Sequence, residues 1–344
     1  MPVLRREREK YGDLWKEDSS LREEFYERLK EHLPRVVCNV TRLSKIYNCW
    51  KEFYAHLQKF GCLLQAVPVA KSSKTIVVCL LVPGKKTKEP PRWLGTADKI
   101  NLESRFSTSI YLLPQSSLEI SMIEPTVNRF ATSMQENGYF GYLSVECYCY
   151  VQKTEEKLIV LMLNIYPYYS YTQSYVDWMK FAIGGLYNHQ KNQFLSDIAA
   201  VSEYERRKSS FIFMEKIPEW NETTERYAVA ISQLHHTTFS AYRWTNLKNL
   251  FEKCGISFDR KKRQGSSIIL HDAEIRNFGL MVAVSASMTT TLSMIHNNLT
   301  KLHETLTIKS KKKPETNLPA LAEFFLKLSL DYQNLAVNKC SPNF

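Results

Sequence analysis

Residues 138–167 place the strongest constraint on the fold of this 344-residue chain. Two arms, 138–152 and 158–167, are rich in aromatic and β-branched residues, and they flank a short polar stretch at 153–157. Side chains of this kind favour strands, and a charged interruption between two such arms favours a turn. We therefore predict an antiparallel hairpin at the centre of an α+β fold.

Two polar residues interrupt the apolar arms of this hairpin, Glu146 in the first and Asn164 in the second. Because residues i and i+2 share one face of a strand, Asn164 is expected to point the same way as Met162. Antiparallel pairing brings Glu146 near that face. A buried carboxylate is costly unless it meets a cation, a donor or a proton. The pair marks either a site or a solvent-facing acid and amide on an edge hairpin.

Composition indicates a globular protein with a basic surface. Hydrophobic residues make up 44% of the chain and aromatic residues 12%, which is typical of a folded domain and not of a disordered one. The net charge is +11, and much of the excess lies in runs at 85–88, 206–208, 260–263 and 309–313. Such runs are usually solvated loops. The alternative is a surface for an acidic partner such as nucleic acid, a microtubule or anionic lipid.

The cysteines and the first residues indicate the compartment. None of the eight cysteines forms a C-x-x-C pair, and Cys147 and Cys149 share a strand face, which favours buried free thiols over a metal site or a disulfide framework. The first residues are too charged for a secretory signal, and no apolar run is long enough to span a membrane. We expect a soluble, cytoplasmic protein.

Hydrophobic periodicity and turn residues predict the remaining elements. Helices are expected at residues 19–33, 45–60, 125–137, 171–186, 241–254, 289–306 and 318–335. Strands are expected at 62–69, 74–82, 106–113, 209–217, 227–234, 266–271 and 278–285, whereas 85–105 is expected to be a loop. The elements suggest an N-terminal helical extension (1–44), a sheet-containing domain (45–217), a small α+β sandwich (226–307), and a basic linker with a C-terminal helix (308–344).

Several common chemistries lack their motifs. There is no G-x-S-x-G, P-loop or G-x-G-x-x-G, and with only 11 glycines a backbone phosphate cradle is not expected. His235 and His236 are adjacent, so on a strand they point to opposite faces and form a poor chelate; a surface pair is favoured. The tyrosine-rich stretch 166–171 could stack on a base, although aromatic loops more often cap a sheet edge.

The hairpin resembles the last two strands of the ATP-grasp ligases. In that family an acid on the first strand and an acid-x-Asn on the second hold the Mg²⁺ that bridges the nucleotide phosphates. The resemblance implies that Glu146 is the first acid and Asn164 the Asn, with Met162 in place of the second acid. A thioether is a soft, neutral ligand and cannot replace a hard oxygen donor for Mg²⁺. The implied metal site, Glu146 and Asn164, is therefore vestigial.

The flanking residues carry the same resemblance. Residues 62–68 are similar to the ATP-grasp strand that becomes the adenine-contacting linker, which implies that Gln65 and Val67 belong to the cofactor site with Glu146 and Asn164. Gln65 stands where the linker usually has a Glu, and Ser144 where many members have a basic catalytic residue. Relative to the family pattern, both residues replace a charged side chain of the implied nucleotide pocket with a neutral one. The resemblance implies no cofactor, or at most vestigial MgATP binding.

A narrower resemblance covers about three quarters of the chain, from about residue 50 to 306. Over this span the chain resembles the C-terminal region of the IQ motif-containing protein H family of ciliary and sperm proteins. The matching segments are 138–146, 226–229 with 233–236, 254–256 with 263–265, and 279–281. Relative to an ATP-grasp arrangement the upstream, lysine-bearing region is expected to be largely missing. The sequence contains no Ile-Gln pair, so calmodulin is not an expected partner.

These inferences lead to three functional hypotheses. The first is a non-catalytic ATP-grasp-like scaffold, a pseudoenzyme that contacts protein partners in a ciliary or sperm-tail axonemal assembly. The second is an active ATP- and Mg²⁺-dependent ligase that uses Glu146, Asn164 and a further carboxylate such as Glu119 or Asp177. The third is a basic nucleic-acid-binding protein, whose affinity would fall steeply with salt because phosphate contacts release counterions.

Overall fold

The fold is taken from a computed structural model. It describes residues 18–38, 49–61, 70–102, 108–152, 157–197, 223–270, 278–308 and 314–340. The chain divides into two compact units, residues 1–68 and 69–344. Among the described helices, none combines the length and the apolar character needed to cross a membrane.

The first unit contains two described helices, α1 (Ser19–Cys38) and α2 (Trp50–Phe60). The Asp18 carboxylate accepts hydrogen bonds from the N–H and the hydroxyl of Ser20, both at 2.8 Å, and so satisfies donors at the start of α1. Gly61 ends α2 with a φ of 71°, in the left-handed region that glycine adopts easily. Both predicted helices are confirmed. The predicted strand 62–69, with Gln65 and Val67, lies outside the described residues.

The second unit is built on one antiparallel sheet. Its described strands are β1 (Ala70–Val82), β2 (Arg92–Leu102), β3 (Thr108–Leu113), β4 (Gly141–Gln152), β5 (Leu158–Tyr166), β6 (Gly185–Asn188), β7 (Gln193–Asp197), β8 (Thr223–His235), β9 (Phe258–Asp259), β10 (Gln264–Leu270) and β11 (Phe278–Ser285). Within the described residues the order is β5-β4-β1-β2-β3-β8-β11-β10-β9, while β7 also pairs with β8 and β6 with β7. The predicted hairpin is β4–β5.

Helices cover this sheet. They are α3 (Ile120–Glu136), α4 (Tyr171–Ile183), α5 (Trp244–Lys253), α6 (Met288–Ile308) and α7 (Leu318–Cys340), with short 3-10 turns at Lys85–Thr87 and Thr237–Ala241. The α+β class with flanking helices is confirmed. The strands of the predicted small sandwich continue the same sheet, because β3 pairs with β8. The predicted division into four parts stays a prediction.

Two apolar cores lie along the sheet. The first joins β1, β2 and β4 to α3 and α4, and the second joins β8 and β11 to α5, α6 and α7. In the first core α4 approaches β2 closely, since a Cβ on Gly95 would lie 2.8 Å from the methyl groups of Val176. On the opposite face, the indole N–H of Trp93 donates to Asn128 of α3 at 2.7 Å. Helices therefore enclose both faces of this half of the sheet.

The loop predicted at 85–105 is the largest error in the secondary structure. Residues Arg92–Leu102 form β2, a strand that is paired on both sides, with β1 and with β3. The segment contains four residues of types that are depleted in strands: Gly95, Asp98, Lys99 and Asn101. Local sequence preference therefore does not predict the strand. Pairing with two apolar neighbours outweighs these weak local preferences.

The ends of several other elements differ from the predicted ones. Helix α3 begins at Ile120, so Pro125 lies inside it and does not start it. Helix α4 ends at Ile183 because Gly184 adopts a left-handed conformation, and residues predicted to be helical form β6. Residues 237–241 form a 3-10 turn, so α5 begins at Trp244 and not at 241. Strands β6, β7 and β9 were not predicted, and the predicted strand 209–217 lies outside the described residues.

Candidate functional site

The hairpin brings Glu146 and Asn164 together. They are direct cross-strand partners on β4 and β5, and the Asn164 side-chain amide donates to Glu146 Oε2 at 3.1 Å. Tyr166, which pairs with Ser144, lies on the same face two residues further along β5. Its hydroxyl also donates to Glu146 Oε2 at 3.1 Å. The predicted proximity of Glu146 and Asn164 is confirmed.

A β-bulge separates Asn164 from Met162. The register shifts between Glu146 and Cys147, so that Cys147 pairs with Met162 and Leu163 is the extra residue on β5. Adjacent residues on β4 point to opposite faces, and Met162 follows Cys147 onto the apolar core. The expectation that Met162 and Asn164 share a face is therefore wrong. An extra residue in one strand re-aims the side chains beyond it, and the sequence pattern does not reveal the bulge.

Lys99 is the cation that accompanies Glu146. It reaches across β1 from β2, and its Nζ donates to both carboxylate oxygens at 2.9 Å. The Glu146 side chain is only 2% exposed and that of Lys99 is 13% exposed. With the two donors on β5, the carboxylate accepts four hydrogen bonds. Oε1 accepts one of these bonds, from Lys99, and Oε2 accepts the other three.

A cleft of about 540 Å³ opens above this ion pair. Lys99 and Glu146 form its polar floor on either side of Val77, and we call it the tyrosine cleft because tyrosines form most of its walls. These are Tyr111, Tyr166, Tyr168, Tyr169 and Tyr171. Burial and the nearby Glu146 raise the pKa of Tyr166, so its hydroxyl stays protonated and donates. The site therefore combines a neutralised floor with aromatic walls.

The loop that leads into α4 forms the rim of the cleft. Tyr168, Tyr169 and Tyr171 are each more than half exposed. The Tyr169 hydroxyl donates to Asp177 at 3.0 Å, and its ring meets Tyr142 edge-on with centroids 5.1 Å apart. Burial, followed by Asp177, raises the pKa of Tyr169. The loop thus lines a cavity, and the idea that it stacks on a base stays a prediction.

Ser144 lies beneath the start of α4. Its hydroxyl is 2.7 Å from that of Ser170, and both residues are buried. Ser170 is the N-cap of α4, because its side chain accepts from the Gln173 N–H at 3.2 Å. Ser144 therefore ties β4 to the first turn of the helix. A neutral hydroxyl held in this way cannot supply the positive charge of a basic catalytic residue.

The two further carboxylates considered for a ligase lie elsewhere. Asp177 pairs with Lys180 at 2.8 Å and accepts from Gln173 at 3.0 Å. Glu119 is exposed at the residue before α3. Neither is among the described side chains that line the tyrosine cleft.

The residues of the cleft do not fit Mg²⁺. This ion needs several oxygen ligands in near-octahedral geometry, usually with one or two carboxylates. Among the described residues that line the cleft, Glu146 is the one carboxylate, and an ammonium group already holds it. Across the described part of the chain, no group of three His, Cys, Asp or Glu side chains is placed to hold a metal. The vestigial site that the resemblance implies therefore lacks the ligands for the ion.

The histidine pair is not on the surface, so the prediction of a surface pair is wrong. His235 and His236 are both buried at the end of β8, where the Asn317 side chain accepts from the His235 N–H at 2.8 Å. The His236 Nδ1 accepts from the Thr238 N–H at 3.2 Å. Burial, followed by the neighbouring His303, lowers the pKa of His236 to about 4. The sequence missed this because the start of α7 covers the strand end.

One member of the basic runs is also buried. Arg260, Lys261 and Lys262 are exposed as expected, but Arg263 is buried. Its Nη1 donates to the Ile183 carbonyl and to the Ser196 hydroxyl, both at 2.8 Å. A cation at the C-terminal end of α4 complements the helix dipole. The expectation of a solvated loop is wrong at this position.

Lys99 and the Tyr166 hydroxyl are the site residues that the motif did not supply. Lys99 lies in the stretch predicted to be a loop. Tyr166 belongs to the tyrosine-rich stretch 166–171, whose composition does not predict a contact with Glu146. A usable signal existed, since a buried carboxylate requires a cation, a donor or a proton. The sequence therefore implies a cation or donor beside Glu146, but only the strand pairing identifies it as Lys99.

A family model described as "IQCH-like, ATP-grasp" matches residues 1–190. IQ motif-containing protein H of Danio rerio is 22% identical over 277 residues, which is 80% of this chain. The chain spans 24% of the length of that relative.

Two solved enzyme structures show a distant likeness. The biotin carboxylase domain of a single-chain bacterial carboxylase is 10% identical with a TM-score of 0.43, and the match covers 80% of this chain and 56% of that one. N5-carboxyaminoimidazole synthase from Aspergillus clavatus is 11% identical with a TM-score of 0.36, covering 69% and 53%. The assignment itself rests on the family match, which spans more than half of the sequence. The chain therefore belongs to the IQCH-like ATP-grasp family.

Proposed function

We propose that this protein is a non-catalytic ATP-grasp-like scaffold in which a lysine of the chain takes the place of the metal ion. The observation that carries the proposal is the contact of the Lys99 ammonium with both oxygens of Glu146 at 2.9 Å. The carboxylate that the family resemblance assigns to Mg²⁺ is thus neutralised from within the chain.

The energetics of this pair support the proposal. Removing one partner of a buried ion pair costs about 3–5 kcal/mol because the other charge is left buried and unpaired, so Lys99 is not displaced unless another cation takes its place. A divalent ion that replaced the contact would also lie beside the displaced Lys99 ammonium, where like charges repel. Asn164 and Tyr166 would have to turn away as well, since both donate to the same oxygen.

The rest of the site offers little for phosphoryl transfer. Such a reaction needs positive charge at the metal and at the transferred group together. Ser144 supplies a neutral hydroxyl that is bound to Ser170. Among the described residues that line the cleft, Lys99 is the one cation, and it is paired with Glu146. A protein with this arrangement acts through binding and not through turnover.

The cellular setting forms part of the proposal. The resemblance to ciliary and sperm proteins favours protein partners in an axonemal assembly, with the chain in the cytoplasm or cilium. Localising a tagged full-length chain in ciliated cells tests this point. Diffuse cytoplasmic signal, with none in the cilium, would contradict the ciliary role and leave the non-catalytic site untouched.

A titration with MgATP tests the non-catalytic site. A ligand that binds only the native state stabilises it by about 2.7 kcal/mol at a hundred times its Kd. We expect no rise in Tm of the wild-type chain with MgATP, and no release of ADP. The Lys99→Gln variant removes the internal cation, and Lys99→Arg keeps it. A response to Mn²⁺ or MgATP in Lys99→Gln but not in Lys99→Arg would show that Lys99 excludes the metal.

An active ligase is the second candidate. It is favoured by the size of the tyrosine cleft, since about 540 Å³ lies within the range of small-molecule sites and Glu146 lines it. A magnesium-dependent rise in Tm of the wild-type chain, together with ADP formation that Glu146→Gln abolishes, would establish this alternative and refute the scaffold proposal.

A further inference from the structure

We infer that the tyrosine cleft is an anchor pocket that takes an uncharged, ring-bearing side chain from a partner protein. The inference rests on the proposed non-catalytic function and names the chemistry of the partner. Its occupant is a Trp, Phe or Tyr side chain that enters between the cleft tyrosines and stops above the floor formed by Lys99 and Glu146.

The charges around the cleft argue against an ionic ligand. At the floor, Lys99 and Glu146 neutralise one another, and Asn164 and Tyr166 both donate to Glu146 Oε2. Beside the rim, the Asp177 carboxylate is paired with Lys180 at 2.8 Å. Among the described side chains that line the cleft, a phosphate would meet no cation without a carboxylate partner, and an ammonium or guanidinium group would meet no carboxylate without an ammonium partner. The charged groups instead fix the shape of the cleft.

The aromatic walls are held in place for stacking. The Tyr166 hydroxyl is bound to Glu146 and the Tyr169 hydroxyl to Asp177, so neither ring turns freely. Tyr111 is fixed from the side by Tyr175, with ring centroids 5.3 Å apart. Aromatic rings prefer offset or edge-to-face neighbours at such distances. A rigid pocket of this kind loses little side-chain entropy when a further ring enters.

The rim argues for a protein and not a metabolite. Tyr168, Tyr169 and Tyr171 lie within four residues, and each is more than half exposed beyond the cavity. A small molecule enclosed in the cleft would gain nothing from this outer ring of tyrosines. A partner protein would cover it, and tyrosines that surround a filled pocket are typical of interface centres.

The test uses N-acetyl-5-fluorotryptophan amide, a probe that has the side chain and the uncharged backbone of a residue within a protein. Its binding to the full chain is followed by fluorine NMR. Because the protein contains no fluorine, its own tryptophans give no signal. We expect saturable binding that Tyr168→Ala and Tyr171→Ala each weaken by roughly two- to tenfold. Both residues are exposed, so the variants should fold. Phe181→Ala is the matched control, an exposed ring on α4 that does not line the cleft.

Other outcomes overturn the inference. Non-saturable binding of the probe, or an equal loss of affinity in Phe181→Ala, would exclude specific binding in the tyrosine cleft. Tighter binding of free 5-fluorotryptophan would assign the cleft to a metabolite, and displacement of the probe by tetramethylammonium at lower concentration would assign it to a cation. The proposed function fails separately, through a magnesium-dependent rise in Tm with ATP. A chain that passes that test and does not bind the probe is a non-catalytic protein without this anchor pocket.

Discussion

Each face of the sheet at β2 holds a buried carboxylate, and the two faces accommodate it in different ways. Lys99 points into the tyrosine cleft, where it neutralises the buried Glu146. Asp98, the preceding residue, points to the other face, where its Oδ2 accepts from the Ser116 N–H at 2.8 Å. Its Oδ1 has no hydrogen-bond partner among the described residues. Burial raises the pKa of Asp98. One carboxylate is thus held by a cation, and the other is driven toward its protonated form.

The strand register explains why neighbouring positions differ so much. Glu146 lies in a row with Val77 and Asn164, on the cleft face. The next row contains Asp98, Ile76, Cys147 and Met162, and it faces the apolar core. A charge is tolerated on the first row because Lys99 reaches it. On the second row the burial of Asp98 outweighs its contacts with Ser116 and Ser117 and the attraction of Lys74, so the pKa of its carboxyl is raised. A substitution that moves charge between these rows should therefore be costly.

The largest expected effect comes from removing the cation of the first row. Lys99→Met leaves Glu146 buried without its partner, and we expect a loss of about 3–5 kcal/mol in the free energy of unfolding. Urea denaturation measures this loss. Lys180→Met is the matched control, because its ion pair with Asp177 is partly exposed and is expected to contribute about 0–1 kcal/mol.

A double variant separates the pair from general loss of packing. Lys99→Met combined with Glu146→Gln removes both charges, so it should regain much of the stability that Lys99→Met loses. If Lys99→Met costs no more than Lys180→Met, the floor of the cleft is not a buried ion pair. The comparison between the two faces would then fail.

The second largest effect is expected from a charge introduced on the second row, which faces the apolar core. Met162→Glu matches the acid-x-Asn pattern of the family, but the bulge aims this position at the core face, where Cys147 lies. We expect a loss of about 1–3 kcal/mol and no gain in Mg²⁺ binding. Met162→Leu, which keeps the apolar character, should cost less than about 1.5 kcal/mol. Magnesium-dependent stabilisation of Met162→Glu would mean that this position faces the cleft.

The sequence predicted the hairpin because apolar arms and a polar turn leave a clear local pattern. It also placed Glu146 beside Asn164, since antiparallel pairing across a short turn fixes their approach. It did not predict the bulge, because one extra residue changes no composition. It did not predict β2 or the role of Lys99, because Gly95, Asp98 and Lys99 disfavour strands locally and are held by pairing with strands distant in the sequence.

The errors at His235 and Arg263 have a related cause. The immediate neighbours of these residues predict a surface pair at His235 and a solvated basic run at Arg263. In the fold, His235 is buried under Asn317 at the start of α7, and Arg263 is buried against the end of α4 and the Ser196 hydroxyl. The partners lie 82, 80 and 67 residues away along the chain. Contacts at such separations leave no local pattern.

The smallest expected effect concerns the carboxyl of the second row, and it depends on pH. An unfolded Asp titrates near pH 3.9, and burial raises the pKa of Asp98 in the fold. The folded state therefore binds this proton more tightly than the unfolded state does. Its contribution to stability is fully present below the unfolded pKa and is lost as the pH rises through the folded pKa.

Asp98→Asn removes this titration while keeping the size of the side chain. Relative to the wild-type chain, the variant should gain stability as the pH rises from about 4 to 7, by about 1.4 kcal/mol for each unit by which the fold raises the pKa of Asp98. Urea denaturation at several pH values measures the difference. Glu252→Gln, at an exposed acid on α5, is the control variant. A variant that instead loses stability steadily as the pH rises would mean that Asp98 is stabilised as a carboxylate, and that both faces of the sheet hold their charges by the same means.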